Sequence, residues 1–192
     1  QRPIVDPDEV APADVDGRGG RQRAGTHPEL GDRAGARREI DAMQRLRAAM
    51  EKSGDSYWAA RTQDQILAVS AWVALSEGAV DQAVILMRQA ADGEDASIKH
   101  VAMENRLYPM RELLADLLLE AGRATEASSE YTRALTLTPN RYRGLFGAAR
   151  AAEATGDSTT ARLFYARVVE LSQHADGVRP ELQRAKAYLE RR

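Results

Sequence analysis

Side chains that could bind a metal or attack a substrate are few and scattered in this chain of 192 residues. It has no cysteine, which excludes disulfide frameworks, thiolate metal sites and cysteine nucleophiles. The three histidines, His27, His100 and His174, stand far apart, and none belongs to a helical ligand pair. Glu94, Asp95 and His100 fall close together and offer a weak oxygen and nitrogen donor set. A polar surface loop explains them as well, so no metal is expected. Neither a G-x-S-x-G elbow nor an H-E-x-x-H helix occurs. Gly17-Arg18-Gly19-Gly20 has neither the spacing nor the preceding strand of a phosphate cradle. Arg18-Gly19-Gly20-Arg21 is of the kind found in disordered RNA-binding segments, but it is a single copy beside Asp14 and Asp16. Paired carboxylates occur only on amphipathic stretches, where they read as solvated faces. The expectation is a protein that is not an enzyme, with no cofactor, no metal and no nucleic-acid partner.

The elements around these residues belong to one helical domain. Lys and Arg number 27 against 29 Asp and Glu, a formal charge of −2, which does not suit a generic polyanion binder. The composition, 43% hydrophobic and 29% charged, is that of an ordinary folded chain with a single core. The longest nearly uncharged apolar stretch, residues 66–76, is too short to span a bilayer. Residues 1–30 differ from the rest. They hold four prolines and four glycines, with apolar residues at no regular period, and read as a low-complexity tail or linker. The chain begins Gln1-Arg2-Pro3, with no basic stretch leading into an apolar one, and reads as part of a longer polypeptide. The lack of cysteine fits a cytoplasmic and an exported protein equally, so localisation stays open. From Gly31 onward the sequence is rich in Ala, Leu, Arg and Glu, with only Pro109, Pro139 and Pro180 to interrupt it. No alternating β-branched run appears, which predicts an all-α fold. Helices are expected at 33–52, 56–77, 80–91, 108–121, 124–137, 141–155, 158–172 and 179–191. Tyr57-Trp58 is expected to open its helix and pack under the preceding one, and 92–107 to be an irregular insertion.

Three glycines set a repeat. Gly78, Gly122 and Gly156 each end one amphipathic stretch and precede another, 44 and 34 residues apart. Five residues after each stands Ala83, Ala127 or Ala161, and four further on Met87, Tyr131 or Tyr165. Three further again come Ala90, Ala134 and Val168. A small residue lets two helices approach, and a bulky one a turn later fills the neighbour's groove. Gly31-Asp32 followed by Ala36, Ile40 and Met43 repeats the spacing upstream.

This layout resembles the 34-residue tetratricopeptide repeat. Residues 108–141 follow its pattern with Leu114-Ala115, Leu118, Gly122, Ala127, Tyr131, Ala134 and Pro139-Asn140. Residues 142–175 follow it with Leu145, Ala149, Gly156, Ala161 and Tyr165, but place Gln173 at the proline position. Residues 64–97 follow it less fully. Asp55-Ser56-Tyr57-Trp58-Ala59, Ala71-Trp72 and the 142–150 segment are similar to the carboxyl end of large bacterial proteins of this family. The resemblance implies a right-handed α-α superhelix over residues 31–192. It would comprise a helix at 33–52, hairpins at about 56–91, 108–140 and 141–175, and a capping helix at 179–191.

In that family the first helix of each pair lines the concave side. By position the wall would show Gln65, Ala68, Trp72 and Leu75, then Glu112, Asp116 and Leu119, then Arg143, Phe146 and Arg150. Trp72 fits either the core or the groove. Glu112 and Asp116 are one turn apart, and Arg143 and Arg150 two turns apart. Either these charges pair between helices, or Arg143 and Arg150 flank Phe146 and grip an acidic peptide. The expected partner-binding residues are Trp72, Glu112, Asp116, Arg143, Phe146 and Arg150. The family's Lys/Asn carboxylate clamp is absent from its usual positions. The resemblance implies a non-catalytic scaffold that binds a protein or peptide partner. The alternative is an oligomerisation or regulatory module of a larger protein, with self-association through an open N-terminal end.

Overall fold

A computed structural model of the protein describes residues 32–97, 108–177 and 179–191. These residues form eight helices and no strand: α1 (Arg33–Lys52), α2 (Ser56–Ser76), α3 (Val80–Ala96), α4 (Met110–Glu120), α5 (Ala124–Leu137), α6 (Tyr142–Thr155), α7 (Ser158–Leu171) and α8 (Pro180–Glu190). The chain is therefore all-α over its described length. Each helix packs on the next, and contacts also run from α2 to α4 and from α4 to α6. Every helix but one ends within two residues of its expected bounds. The exception is α3, which continues through Asp92 to Ala96, so the first part of the expected irregular insertion is helical. The rest of the insertion and the 1–31 tail, with His100 and His27, lie outside the described residues.

Four of the turns between successive helices share one construction. Gly54, Gly78, Gly122 and Gly156 all have φ between 77° and 83°, the left-handed region where a side chain is strained. Just beyond each glycine an amide reaches back five residues along the helix: Asp55 to Met50, Ala79 to Ala74, Arg123 to Leu118 and Asp157 to Ala152, at 2.8–2.9 Å. Asp32, Asp55 and Asp157 then cap α1, α2 and α7 by accepting an amide of the first turn.

Between the helices the core is built from small residues facing large ones. Ala83, Met87 and Ala90 in α3, and Ala127 and Tyr131 in α5, are fully buried. So are Ala161, Tyr165 and Val168 in α7. The tightest of these fits lies between α5 and α6, where a Cβ added to Gly147 would sit 2.3 Å from Cε1 of the Tyr131 ring. The aromatic occupies the space that the glycine leaves empty. Of the pair that opens α2, Tyr57 is half-buried, whereas Trp58 is 40% exposed and stands edge-on to it.

One buried charge ties the middle of the array together. The Arg111 side chain on α4 is 1% exposed. Its Nη2 donates to Asp92 at 2.8 Å and to Asp95 at 2.6 Å, and its Nη1 donates to Glu130 on α5 at 3.1 Å. Carboxylates in the last turn of a helix oppose its dipole, so Asp92 and Asp95 need this counter-charge. Burial works against the Arg111 charge, but the hydrogen bonds to Asp92 and Asp95 outweigh it and hold the guanidinium pKa above its ordinary value. Glu94 in the same turn accepts the Met110 amide at 2.9 Å and so caps α4, which has no capping side chain of its own. These contacts explain why α3 runs on past residue 91.

At the α2–α3 crossing Asp64 is 7% exposed, and a Cβ on Gly93 would lie 2.5 Å from its Oδ1. Burial raises the Asp64 pKa from 3.8 to about 6, against the pull of Arg61 and with a further push from Glu94.

Four outcomes are expected from urea denaturation. Gly147→Ala should lose about 1–3 kcal/mol, because the added methyl overlaps a ring that cannot move aside. Arg111→Ala should lose about 3–5 kcal/mol by leaving buried carboxylates unpaired. By contrast, Arg133→Ala, whose exposed side chain reaches Asp95 at 3.4 Å, should lose no more than about 1 kcal/mol. The folded pKa of Asp64 lies above its unfolded value, so its contribution is complete below about 3.8 and lost as the pH rises through about 6. Asp64→Asn should therefore raise the urea midpoint at pH 7 and leave it nearly unchanged at pH 4.

Candidate functional site

The side of α4 and α6 where the expected groove residues meet is lined with charge pairs. Asp116 on α4 and Arg143 on α6 meet at 2.6 Å. The second oxygen of Asp116 accepts the Tyr131 hydroxyl from α5. Burial, with the Asp116 charge beside it, pushes the Tyr131 phenol pKa far up, so it stays a donor. The Arg143 guanidinium also stands 4.5 Å from the centroid of the Tyr108 ring, a cation–π contact. Arg143 thus joins three elements, and nearly half of its side chain stays open to solvent.

Further along α4 and α6, Leu119, Glu120, Arg150, Glu153 and Ala154, with Arg184 of α8, line an open pocket of about 320 Å³. Arg150 is 33% exposed and has Glu120 at 3.5 Å. Across the cavity Glu153 is held more firmly. It accepts the Tyr165 hydroxyl at 2.8 Å and Arg184 of α8 at 3.0 Å. Those two hydrogen bonds outweigh the burial that would raise it, so the Glu153 carboxyl sits below its ordinary pKa. The Tyr165 phenol, buried and bonded to Glu153, is pushed up to about 12. The pocket therefore presents two carboxylates, Glu120 and Glu153, and two arginines, Arg150 and Arg184, beside the apolar surface of Leu119 and Ala154.

The expected residues divide between this surface and the interior. Asp116, Arg143 and Arg150 lie on it. Glu112 does not: it is 1% exposed and pairs with Arg141 at 2.7 Å, in the segment between α5 and α6. Phe146 is partly buried, 6.0 Å from the Tyr165 ring and edge-on to it. Trp72 on α2 is partly buried against the core. Glu120, Glu153, Arg184 and Tyr108 are site residues that the sequence pattern did not single out. Glu153 stands one turn after Arg150 on the same helix, a signal that was available. The approach of α8 that delivers Arg184 is purely tertiary. Among the described residues there is no cluster of three or more His, Asp or Glu able to hold a metal ion, and no helix is long and apolar enough to cross a membrane. Compared with family models, with curated proteins and with solved structures, the chain matches none.

Proposed function

We propose that the protein is a non-catalytic scaffold of tetratricopeptide type that holds a peptide or helix of a partner protein along α2, α4 and α6. The observation that carries this reading is the pocket beside Arg150, where a partly exposed guanidinium with Glu120 at 3.5 Å adjoins apolar surface. The repeat reading is supported by left-handed glycines 34 residues apart at Gly122 and Gly156, and by the contacts that place α2 beside α4 and α4 beside α6. Stacked hairpins create a continuous binding face with little chemistry on it. Arg150 supplies the charge that selects a carboxylate, Leu119 and Ala154 receive the apolar stem beside it, and Arg143 extends the charged surface.

Affinity capture from native extract, with immobilised protein, tests the groove. Arg150→Glu should weaken capture of the groove partner about tenfold, which corresponds to about 1.4 kcal/mol. Arg143→Glu combined with it should weaken capture further, and circular dichroism of both variants should match the parent. Unchanged capture with unchanged helicity would reject the groove. The second reading, an assembly module of a larger protein, is favoured by α1, which has no fully buried residue.

A further inference from the structure

The packing of α1 differs from that of every other second helix in the array, and the difference points to a second interaction surface. This inference does not rest on the groove. The spacing of Ala36, Ile40 and Met43 after Gly31 matches that of Ala83, Met87 and Ala90 after Gly78, of Ala127, Tyr131 and Ala134 after Gly122, and of Ala161, Tyr165 and Val168 after Gly156. In α3, α5 and α7 all nine of these residues are between 0 and 2% exposed. In α1 all three remain partly exposed. The cause lies in the stacking. Helix α3 lies between α2 and α4, α5 between α4 and α6, and α7 between α6 and α8, whereas α1 packs mainly on α2. Among the described residues no second helix packs on α1 to a like extent.

Beside the face that meets α2 runs a short apolar strip, with the exposed Glu39 in line with it seven residues before Leu46. Ala42 is half-buried, Leu46 is 54% exposed and Ala49 is exposed. Along its edge run Arg38, Arg45 and Lys52, seven residues apart and so in line on one side of the helix. All three are exposed. Arg38 reaches only Asp32, at 3.7 Å with both side chains more than 70% exposed, and neither Arg45 nor Lys52 has an ion pair among the described residues. Asp41, also exposed, stands three residues after Arg38 and four before Arg45, so the three cations outnumber the acid along this edge and favour an acidic edge on the element that covers the strip beside it.

We propose that α1 docks an amphipathic helix of a partner polypeptide, one with an apolar seam bordered by Asp or Glu at seven-residue spacing, which takes the place that a first helix occupies in each complete hairpin. A second copy of α1 is the poorer fit. A two-fold pairing of identical helices would lay the cation line against its own counterpart. The preceding segment 17–30 is poorly suited, because its composition, with four glycines and Pro28, opposes a helix.

The test uses the full chain and a synthetic 21-residue helical peptide with Leu and Ala along its seam and Glu along one edge, alongside the same peptide with Lys at the edge. Fluorescence anisotropy should show saturable binding of the Glu peptide, at least about tenfold tighter than the Lys peptide, weakening in 0.5 M salt. Arg38→Glu with Arg45→Glu and Lys52→Glu should reverse the preference, and Leu46→Glu should abolish binding of both peptides. These positions are exposed, so the variants should keep the parent's circular dichroism. Arg150→Glu should leave the peptide affinity unchanged, which separates this surface from the groove. Equal binding of the two peptides, no saturable binding of either, or a Leu46-dependent dimer in light scattering would overturn the proposal.

Discussion

The Arg111 guanidinium is the constraint on which the middle of the array depends. It is a charge removed from water, and charges there are tolerated only with partners on every side. Its partners come from two helices, Asp92 and Asp95 from the end of α3 and Glu130 from α5, while Arg111 itself begins α4. The acidic end of α3 would repel its own helix dipole without it, and Glu94 in that same turn is the cap on α4. The helix that presents Asp116 and Leu119 is therefore held at its start by the helix before it and the helix after it. The site at the far end of α4 inherits that position.

Elsewhere the array is held by shape. Alanines and glycines on one helix receive the large side chains of the next, and Tyr131 against Gly147 is the closest instance. Tyr131 also shows how packing and polarity are joined. Its ring is fully buried, but its hydroxyl reaches Asp116, so the carboxylate that meets Arg143 is oriented by a core residue. The Tyr165 hydroxyl does the same for Glu153 at the cavity. In both hairpins an aromatic from the second helix fixes an acid on a first helix, and each acid in turn binds an arginine.

The parts of this arrangement that were legible in the sequence are local ones. A left-handed turn is open to few residues besides glycine, so Gly78, Gly122 and Gly156 announced the hairpins, and the alanine and aromatic spacing behind them announced the packed faces. The charges were harder to read. Glu112 and Asp116 stand one turn apart and look alike in the sequence, yet one is sealed against Arg141 and the other stands on the surface with Arg143. Nothing in their own neighbourhood separates them, because the distinction is made by residues 27 to 29 positions away. Arg111, between Met110 and Glu112, reads as a surface residue. Its burial follows from α3 continuing past residue 91, and that continuation comes from contacts rather than from helix propensity. The partial exposure of α1 was foreshadowed by a repeat spacing that follows a glycine-rich stretch of poor helix propensity. The line of cations along it became meaningful only with the apolar strip beside it in view.

The connection of each helix chiefly to its sequence neighbours also governs how the molecule comes apart. Low contact order makes such chains quick to fold, and their stability accumulates from adjoining pairs rather than from one indivisible core. Opening then begins at whichever end is least supported. At one terminus Arg162 ties down the last carbonyls of α8 and Tyr188 rests on Tyr165. At the other end of the described residues α1 packs mainly on α2, so it frays early and its amides exchange with solvent well before those of α4. A helix that detaches at low cost can also be engaged and released at low cost.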